Sequence, residues 1–319
     1  MTKIHILAPI IAEAYTAALM PLFPDLIFSI GATREDEGKG FHGCDALFTF
    51  GEFLRPDSFE KNKKIRWVQA LGTGLDGIID HTGLSDDVTI SSLRGIHGPQ
   101  VSELVFMHML SLGRDYPRIV KNQTNKVWER WSGQTLQNKT IGLLGVGKIS
   151  EALAKRCKAF DMEVVGITNS PRKLESFDRM VVRSDLLHIV AELDYLVVLV
   201  PLSEETRGLV GKKIFTAMKK SAYFINVSRG DVVDEDALLA ALSNGDIAGA
   251  GSDVFVQEPL PSNSPLWEQA NLMLTPHIGG LVDVYVEQSI PILKHNIEAF
   301  LAEQETTMIN LFNRRRFSR

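Results

Sequence analysis

Apolar and polar residues alternate in blocks along this chain. Near the N-terminus, four apolar runs at 3–8, 26–30, 46–50 and 66–70 have the length of strands. Each is followed by a polar or glycine-containing stretch, several of them with helical spacing. A long amphipathic segment at about 100–125 then separates these runs from a second series. Its runs lie at 140–144, 163–168, 195–200, 223–227, 249–254 and 271–275. Near-continuous apolar runs such as YLVVLV at 195–200 suit strands buried on both faces, as in a parallel sheet covered by helices. The pattern predicts two α/β units joined by a long helix, with a further helix at about 290–304. No solenoid-period repeat and no low-complexity linker interrupts it.

Composition adds limits. A chain of 319 residues, 45% hydrophobic and 23% charged, fits one large or two ordinary soluble domains. A net charge of −5 gives no overall reason to expect nucleic acid or an anionic membrane as partner. The basic run Arg314-Arg315-Arg316 reads as a solvated tail, or else as a local anion or subunit contact. Cys44 and Cys157 lie far apart without CxxC spacing, so neither a disulfide framework nor a zinc site is expected, and no metal. The first twenty residues carry Lys3, His5 and Glu13, and read as a strand and helix rather than a signal peptide. No apolar run has membrane-spanning length. A soluble, cytoplasmic protein is expected.

Candidate chemistry begins at GLLGVGKIS, residues 142–150, between an apolar strand and a helix-like segment. In a dinucleotide-binding turn the first glycine, here Gly145, makes the tight turn, and the second, Gly147, lets the backbone approach a pyrophosphate. The helix N-terminus then offers unpaired N–H groups. Ser150 stands where the third glycine would be and is small enough to fit with a slight shift. The alternative is a glycine-rich turn with no ligand. The next strand ends in Thr168-Asn169-Ser170-Pro171-Arg172-Lys173, with no carboxylate to accept bonds from ribose hydroxyls. Thr168, Asn169 and Ser170 can donate to a phosphate, and Arg172 and Lys173 add positive charge, which favours NADP(H). A solvated basic turn is the plain alternative.

Three further stretches put ionisable residues just past strand ends: Arg229 after 223–227, Glu258 within 252–260, and His277 within 274–280. Ligands of open α/β sheets bind at that edge. An arginine can grip a carboxylate through two parallel bonds and polarise the adjacent carbonyl. A histidine can protonate the carbonyl oxygen, and a glutamate beside it favours the imidazolium. Taken singly, Arg229 also suits a surface ion pair, Glu258 a turn cap, and His277 a hydrogen-bonded core histidine.

Together these segments, with VPLSEETRGLVG at 200–211 and RGIHGPQVSELV at 94–105, resemble the D-isomer-specific 2-hydroxyacid dehydrogenases in order and spacing. The resemblance is close from about 88 to 282. It implies a Rossmann cofactor domain, 99–287, and a flavodoxin-like, discontinuous substrate domain, 1–98 plus 288–319, both doubly wound parallel sheets. It also implies catalytic roles for Arg229, Glu258 and His277. Backbone N–H groups of Leu71, Gly72, Thr73 and Gly74 would bind the substrate carboxylate, a use that suits a glycine-rich turn. Asp253 would hold the nicotinamide carboxamide. Lys148, Ile149, Val200, Pro201, Thr206, Val227, Ser228, His277 and Gly279 would complete the cofactor groove alongside Gly145, Gly147 and the 168–173 turn.

The missing carboxylate is the pattern of NADPH-preferring members similar to glyoxylate/hydroxypyruvate reductases. The leading expectation is therefore an NADP(H)-linked reductase of a small 2-ketoacid, with a cleft that closes over its substrate, and a homodimer. The first rival is an NAD(H)-linked enzyme for a bulkier 2-ketoacid. The second is a dinucleotide-sensing corepressor, against which the short termini argue. Trp267 stays open between packing and reaching a neighbouring subunit.

Overall fold

The apolar runs of the N-terminal part form a five-stranded parallel sheet in the computed structural model, which describes residues 1–8, 10–31, 33 and 40–312. Its strands are β1 (Lys3–Leu7), β2 (Ile27–Gly31), β3 (Ala46–Thr49), β4 (Trp67–Ala70) and β5 (Thr89–Ser92), ordered β2-β1-β3-β4-β5. Alternate side chains enter two cores. Ile4, Ile6, Phe48 and Trp67 pack with the helices Ala12–Leu19 and Tyr285–Leu301; Leu7, Leu47, Val68 and Ile90 pack with Phe41 and Phe59. The basic run Arg314-Arg315-Arg316 lies outside the described residues.

Sequence pattern missed β5, because Thr-Ile-Ser-Ser offers a single apolar residue. Its burial is polar. Trp67 Nε1 donates to Ser91 Oγ at 2.8 Å, and Ser91 donates to Gln69 Oε1 at 2.7 Å. Asn296, from the C-terminal helix, also donates to Gln69 Oε1 at 3.0 Å and accepts the Ile309 N–H at 2.7 Å. A satisfied buried network of this kind holds a register that apolar contacts alone would leave less specified. The C-terminal helix begins at Tyr285, upstream of its internal Pro291, and so earlier than the pattern suggested.

The second sheet has seven parallel strands: β6 (Thr140–Leu144), β7 (Glu163–Thr168), β8 (Arg179–Val182), β9 (Tyr195–Val198), β10 (Tyr223–Asn226), β11 (Gly249–Ser252) and β12 (Leu272–Leu274). Their order is β12-β11-β10-β9-β6-β7-β8. The chain starts centrally at β6, runs out to β8, and returns to β9 on the other side of β6. That reversal leaves a crevice at the C-terminal ends of β6 and β9, where such folds bind ligands. β8 is a short edge strand with no fully buried position, which is why its pattern carried no signal.

The long amphipathic segment is two helices, Gly98–Arg114 and Tyr116–Asn125, and not the single one expected. Asp115 between them adopts a left-handed conformation (φ 55°), and Pro117 opens the second helix. The chain divides into two compact units, Met1–Ile96 with the segment from Val282 onward, and His97–Leu281, each built on one sheet. Among the described residues no helix is long and apolar enough to cross a membrane, and no group of three or more His, Cys, Asp or Glu side chains is placed to hold a metal ion.

Candidate active site

Strands β10, β11 and β12 lie side by side and parallel, so the residues that follow them emerge at one edge. After β10, the buried Asn226 folds the chain over. Its Oδ1 accepts the Ser228 N–H at 3.1 Å and the Ser228 hydroxyl at 3.0 Å, and its Nδ2 donates to the Arg229 carbonyl at 3.0 Å. Arg229 leaves this turn half-buried, with Nη1 donating to the Ser228 carbonyl at 2.6 Å. Gly230 follows, and a Cβ there would collide with the Phe255–Val256 peptide. The two loops interlock through that glycine.

After β11 and β12, the chain brings Glu258 and His277 together. His277 Nδ1 lies 2.6 Å from Glu258 Oε2, and Glu258 Oε1 accepts the Phe255 N–H at 2.8 Å. The hydrogen bond to Glu258 raises the His277 pKa, against opposing burial and the charge of Arg229. For Glu258, burial pushes upward, but the bond and charge of His277 outweigh it and its pKa is lowered. The pair therefore favours imidazolium beside carboxylate. Glu235, a residue the sequence reading passed over, braces the same loop by accepting the Val256 N–H at 2.7 Å.

Asp253 holds the backbone that carries His277. It is 2% exposed, and its carboxylate accepts the Thr275 hydroxyl at 2.6 Å, the Ile278 N–H at 3.0 Å and the Gly279 N–H at 2.8 Å. Its carbonyl accepts the His277 N–H at 2.8 Å. His277 itself is in the left-handed region (φ 53°), uncommon for a residue with a side chain. A Cβ at Gly279 would come within 2.9 Å of Asp253 Oδ2, so a side chain there would displace the carboxylate that holds the turn.

At the switch point, Gly145 (φ 105°) presses against β9's continuation. A Cβ there would lie 2.8 Å from the Leu199 carbonyl carbon and the Val200 nitrogen. Gly147 faces open space and precedes the helix Lys148–Ala159, whose first N–H groups, including those of Lys148 and Ile149, have no partner within the helix. Ser150 does more than replace a glycine. Its hydroxyl accepts the Gly147 N–H at 2.7 Å and donates to the Gly147 carbonyl at 2.9 Å, capping the helix. The Gly147 N–H is thereby taken.

The remaining expected residues fall as follows. Thr168 ends β7 and accepts the Ser170 N–H at 3.4 Å, while Asn169, Ser170, Arg172 and Lys173 are exposed. Arg172 pairs with Glu151 of the cofactor-loop helix at 2.9 Å, and Lys148 approaches the same carboxylate at 3.6 Å. Val200 is buried and Val227 half-buried. Thr206 is turned inward: its hydroxyl donates to the Pro201 carbonyl at 2.7 Å and accepts the Ser203 N–H at 2.8 Å, so it shapes the Pro201 loop. In the other unit, Leu71, Gly72, Thr73 and Gly74 follow β4, but the Leu71 N–H goes to the Thr49 carbonyl at 2.8 Å. Leu71 thus offers no amide to a ligand, contrary to expectation. Trp267 is half exposed and donates from Nε1 to the Pro261 carbonyl at 2.9 Å.

A seven-stranded parallel sheet whose C-terminal edge carries a glycine turn, an arginine and a Glu–His pair defines a dinucleotide-dependent oxidoreductase. The chain belongs to the D-isomer specific 2-hydroxyacid dehydrogenases: the model of that family's NAD-binding domain matches residues 106–279. A curated relative, glyoxylate/hydroxypyruvate reductase B of Salmonella heidelberg (strain SL476), is 35% identical over 254 residues, covering 77% of this chain and 78% of its own. A D-isomer specific 2-hydroxyacid dehydrogenase family protein from Aeromonas salmonicida subsp. salmonicida A449 superposes with a TM-score of 0.88 at 30% identity, over 98% of this chain and 99% of that one. The NADPH-dependent glyoxylate/hydroxypyruvate reductase of Sinorhizobium meliloti, solved with NADP and sulfate, gives a TM-score of 0.84 at 25% identity, over 98% of each chain. The protein is an NAD(P)-dependent enzyme that transfers a hydride between a dinucleotide and a 2-ketoacid/2-hydroxy acid pair.

Proposed function

We propose that this enzyme is an NADP(H)-preferring reductase of small 2-ketoacids, glyoxylate and hydroxypyruvate among them, and that it forms D-2-hydroxy acids. The observation that carries the cofactor preference is the end of β7. There Thr168, Asn169, Ser170, Arg172 and Lys173 follow the strand with no carboxylate among them to repel a 2′-phosphate, and the Glu151 carboxylate that reaches this turn is paired with Arg172. The NADPH-dependent glyoxylate/hydroxypyruvate reductase from Sinorhizobium meliloti supports this reading for cofactor and substrate, and the curated reductase B supports it for substrate.

The glycine turn fits a dinucleotide. Gly145 makes the tight turn against the Leu199–Val200 peptide, where a Cβ would not fit, Gly147 opens on free space, and the helix that follows offers N–H groups to a pyrophosphate. The bound reduced nicotinamide would supply the hydride. Arg229 holds the substrate carboxylate and polarises its keto group. His277 gives its Nε2 proton to the carbonyl oxygen, and Glu258, bonded at Nδ1, keeps the ring charged and oriented. In the other unit, N–H groups of the turn containing Gly72, Thr73 and Gly74 suit a carboxylate. Because three donors already reach the Asp253 carboxylate, we assign it first to holding the His277 turn, with the nicotinamide carboxamide as a further contact. A cytoplasmic homodimer completes this reading by family resemblance.

The Arg172–Glu151 ion pair is the observation that favours NAD(H), since it ties up a guanidinium that would meet the phosphate. Initial rates with NADPH and NADH over a panel of 2-ketoacids decide the matter. The expected result is a higher kcat/KM with NADPH and with glyoxylate or hydroxypyruvate. A higher kcat/KM with NADH overturns the cofactor reading, and a preference for a bulky 2-ketoacid overturns the substrate reading.

A further inference from the structure

His108 is a fully buried histidine to which the roles above give no part. It lies inside the helix Gly98–Arg114, which packs on β10 and β11. Its ring rests on Gly251 of β11, where a Cβ would come within 2.7 Å of the imidazole. Burial lowers its pKa to about 4, so the ring is neutral and carries a single N–H.

That proton can be placed. His108 Nε2 lies 3.3 Å from Thr275 Oγ1, and the Thr275 hydroxyl already donates its proton to Asp253 Oδ1 at 2.6 Å. Toward His108 the hydroxyl can only accept, so Nε2 bears the hydrogen. His108 Nδ1 is then a bare acceptor, and it has no hydrogen-bond partner among the described residues. An unpaired buried nitrogen is costly, and a leucine or phenylalanine would fill the same volume without it. Packing alone does not account for a histidine here.

We propose that His108 is a positioning residue for the turn that carries His277. Its Nε2–H fixes the Thr275 hydroxyl; Thr275 holds Asp253; and Asp253 takes the Ile278 and Gly279 N–H groups on the far side of His277. A chain of oriented donors thus runs from the helix to a backbone conformation that a non-glycine residue adopts only when its surroundings impose it. The proton donor must lie within a narrow range of the carbonyl oxygen, so slack anywhere in this chain reaches the chemistry as lost rate. The proposal rests on His277 being the proton donor.

The test measures kcat and KM, with NADPH and the preferred 2-ketoacid of the panel, for His108→Leu, His108→Gln, Thr275→Val, the double variant His108→Leu/Thr275→Val, and His277→Ala. His108→Leu is expected to lower kcat about fivefold, the equivalent of one neutral hydrogen bond, with both KM values little changed. His108→Gln, which keeps a donor, recovers most of that loss. In the Thr275→Val background, His108→Leu should cost nothing further, because the path is already cut. An unchanged kcat in a His108→Leu protein with wild-type urea unfolding, or additive losses in the double variant, overturns the proposal. Should His108→Leu not fold, Thr275→Val decides alone, and an unchanged kcat there overturns it. A His277→Ala enzyme that retains its kcat removes the proton-donor reading instead, which keeps the two failures apart.

Discussion

Glu258 holds His277 with one carboxylate oxygen, at 2.6 Å from Nδ1, and is itself held through the other by the Phe255 N–H at 2.8 Å. The carboxylate cannot swing without giving up one bond for the other. Nε2 is left as the imidazole nitrogen available to a substrate, and the ring is biased toward its charged form.

The pH dependence follows in sign. Because the Glu258 hydrogen bond raises the His277 pKa above 6.5, the protonated donor persists below that raised value and is lost as pH rises through it. Reduction of the 2-ketoacid should therefore fall along a basic limb. Glu258→Gln removes the main cause of the shift, so that limb should move to lower pH. Profiles of kcat/KM against pH for both enzymes measure it. A limb that stays in place would show that another group titrates there.

His277→Ala removes the proton donor while leaving the glycine turn untouched. Loss of a positioned general acid should lower kcat by about 10²–10⁴-fold. NADPH binding, followed by fluorescence titration, should change little. Loss of binding together with rate would make His277 a cofactor contact first.

Arg229→Lys keeps the charge and discards the planar fork. Substrate affinity and carbonyl polarisation should suffer together, and kcat/KM should fall about 10- to 100-fold, the range for a hydrogen bond to a charged partner. Most of the loss should appear in KM for the 2-ketoacid. Unchanged kinetic constants would refute the carboxylate-gripping role.

Cofactor preference can be pushed in both directions from one ion pair. Arg172→Ala should raise KM for NADPH and leave that for NADH nearly unchanged. Glu151→Gln releases Arg172 and Lys148 and takes away a carboxylate near the proposed phosphate position. It should lower KM for NADPH by about two- to fivefold, the scale of an exposed ion pair. Equal effects on both cofactors would mean that this turn does not meet the phosphate.

Much of this was legible in the residues. Apolar runs marked the central strands, because strands buried on both faces need them, and Gly145, Arg229, Glu258 and His277 became candidates by their places after those runs, with roles that only the combined set and its family resemblance implied. β5 and β8 were not legible: the first is buried through Ser91, Gln69 and Asn296, which looks polar in a pattern, and the second is a partly exposed edge. Asp115 hid a helix break because its left-handed geometry needs no glycine. Ser150, read as a packing variation, proved to be a cap. The Asp253–Thr275–His108 chain joins residues more than a hundred positions apart, and no local pattern carries that.

Gly230 offers a test of how strictly the acid pair depends on its frame. A methyl group at this position would run into the carbonyl of Phe255 and the nitrogen of Val256, which are backbone atoms and cannot rotate away. Gly230→Ala should therefore cost about 1–3 kcal/mol or more in urea unfolding, as an overpacked site does. The loop it displaces carries the Phe255 N–H that fixes Glu258, so the basic limb of the pH profile should also move to lower pH, as in Glu258→Gln. Gly211→Ala is the control, since a Cβ there meets only ordinary contacts, the nearest at 3.7 Å. A Gly230→Ala enzyme that is destabilised yet keeps the wild-type profile would show that Glu258 holds His277 without help from the interlocked loops.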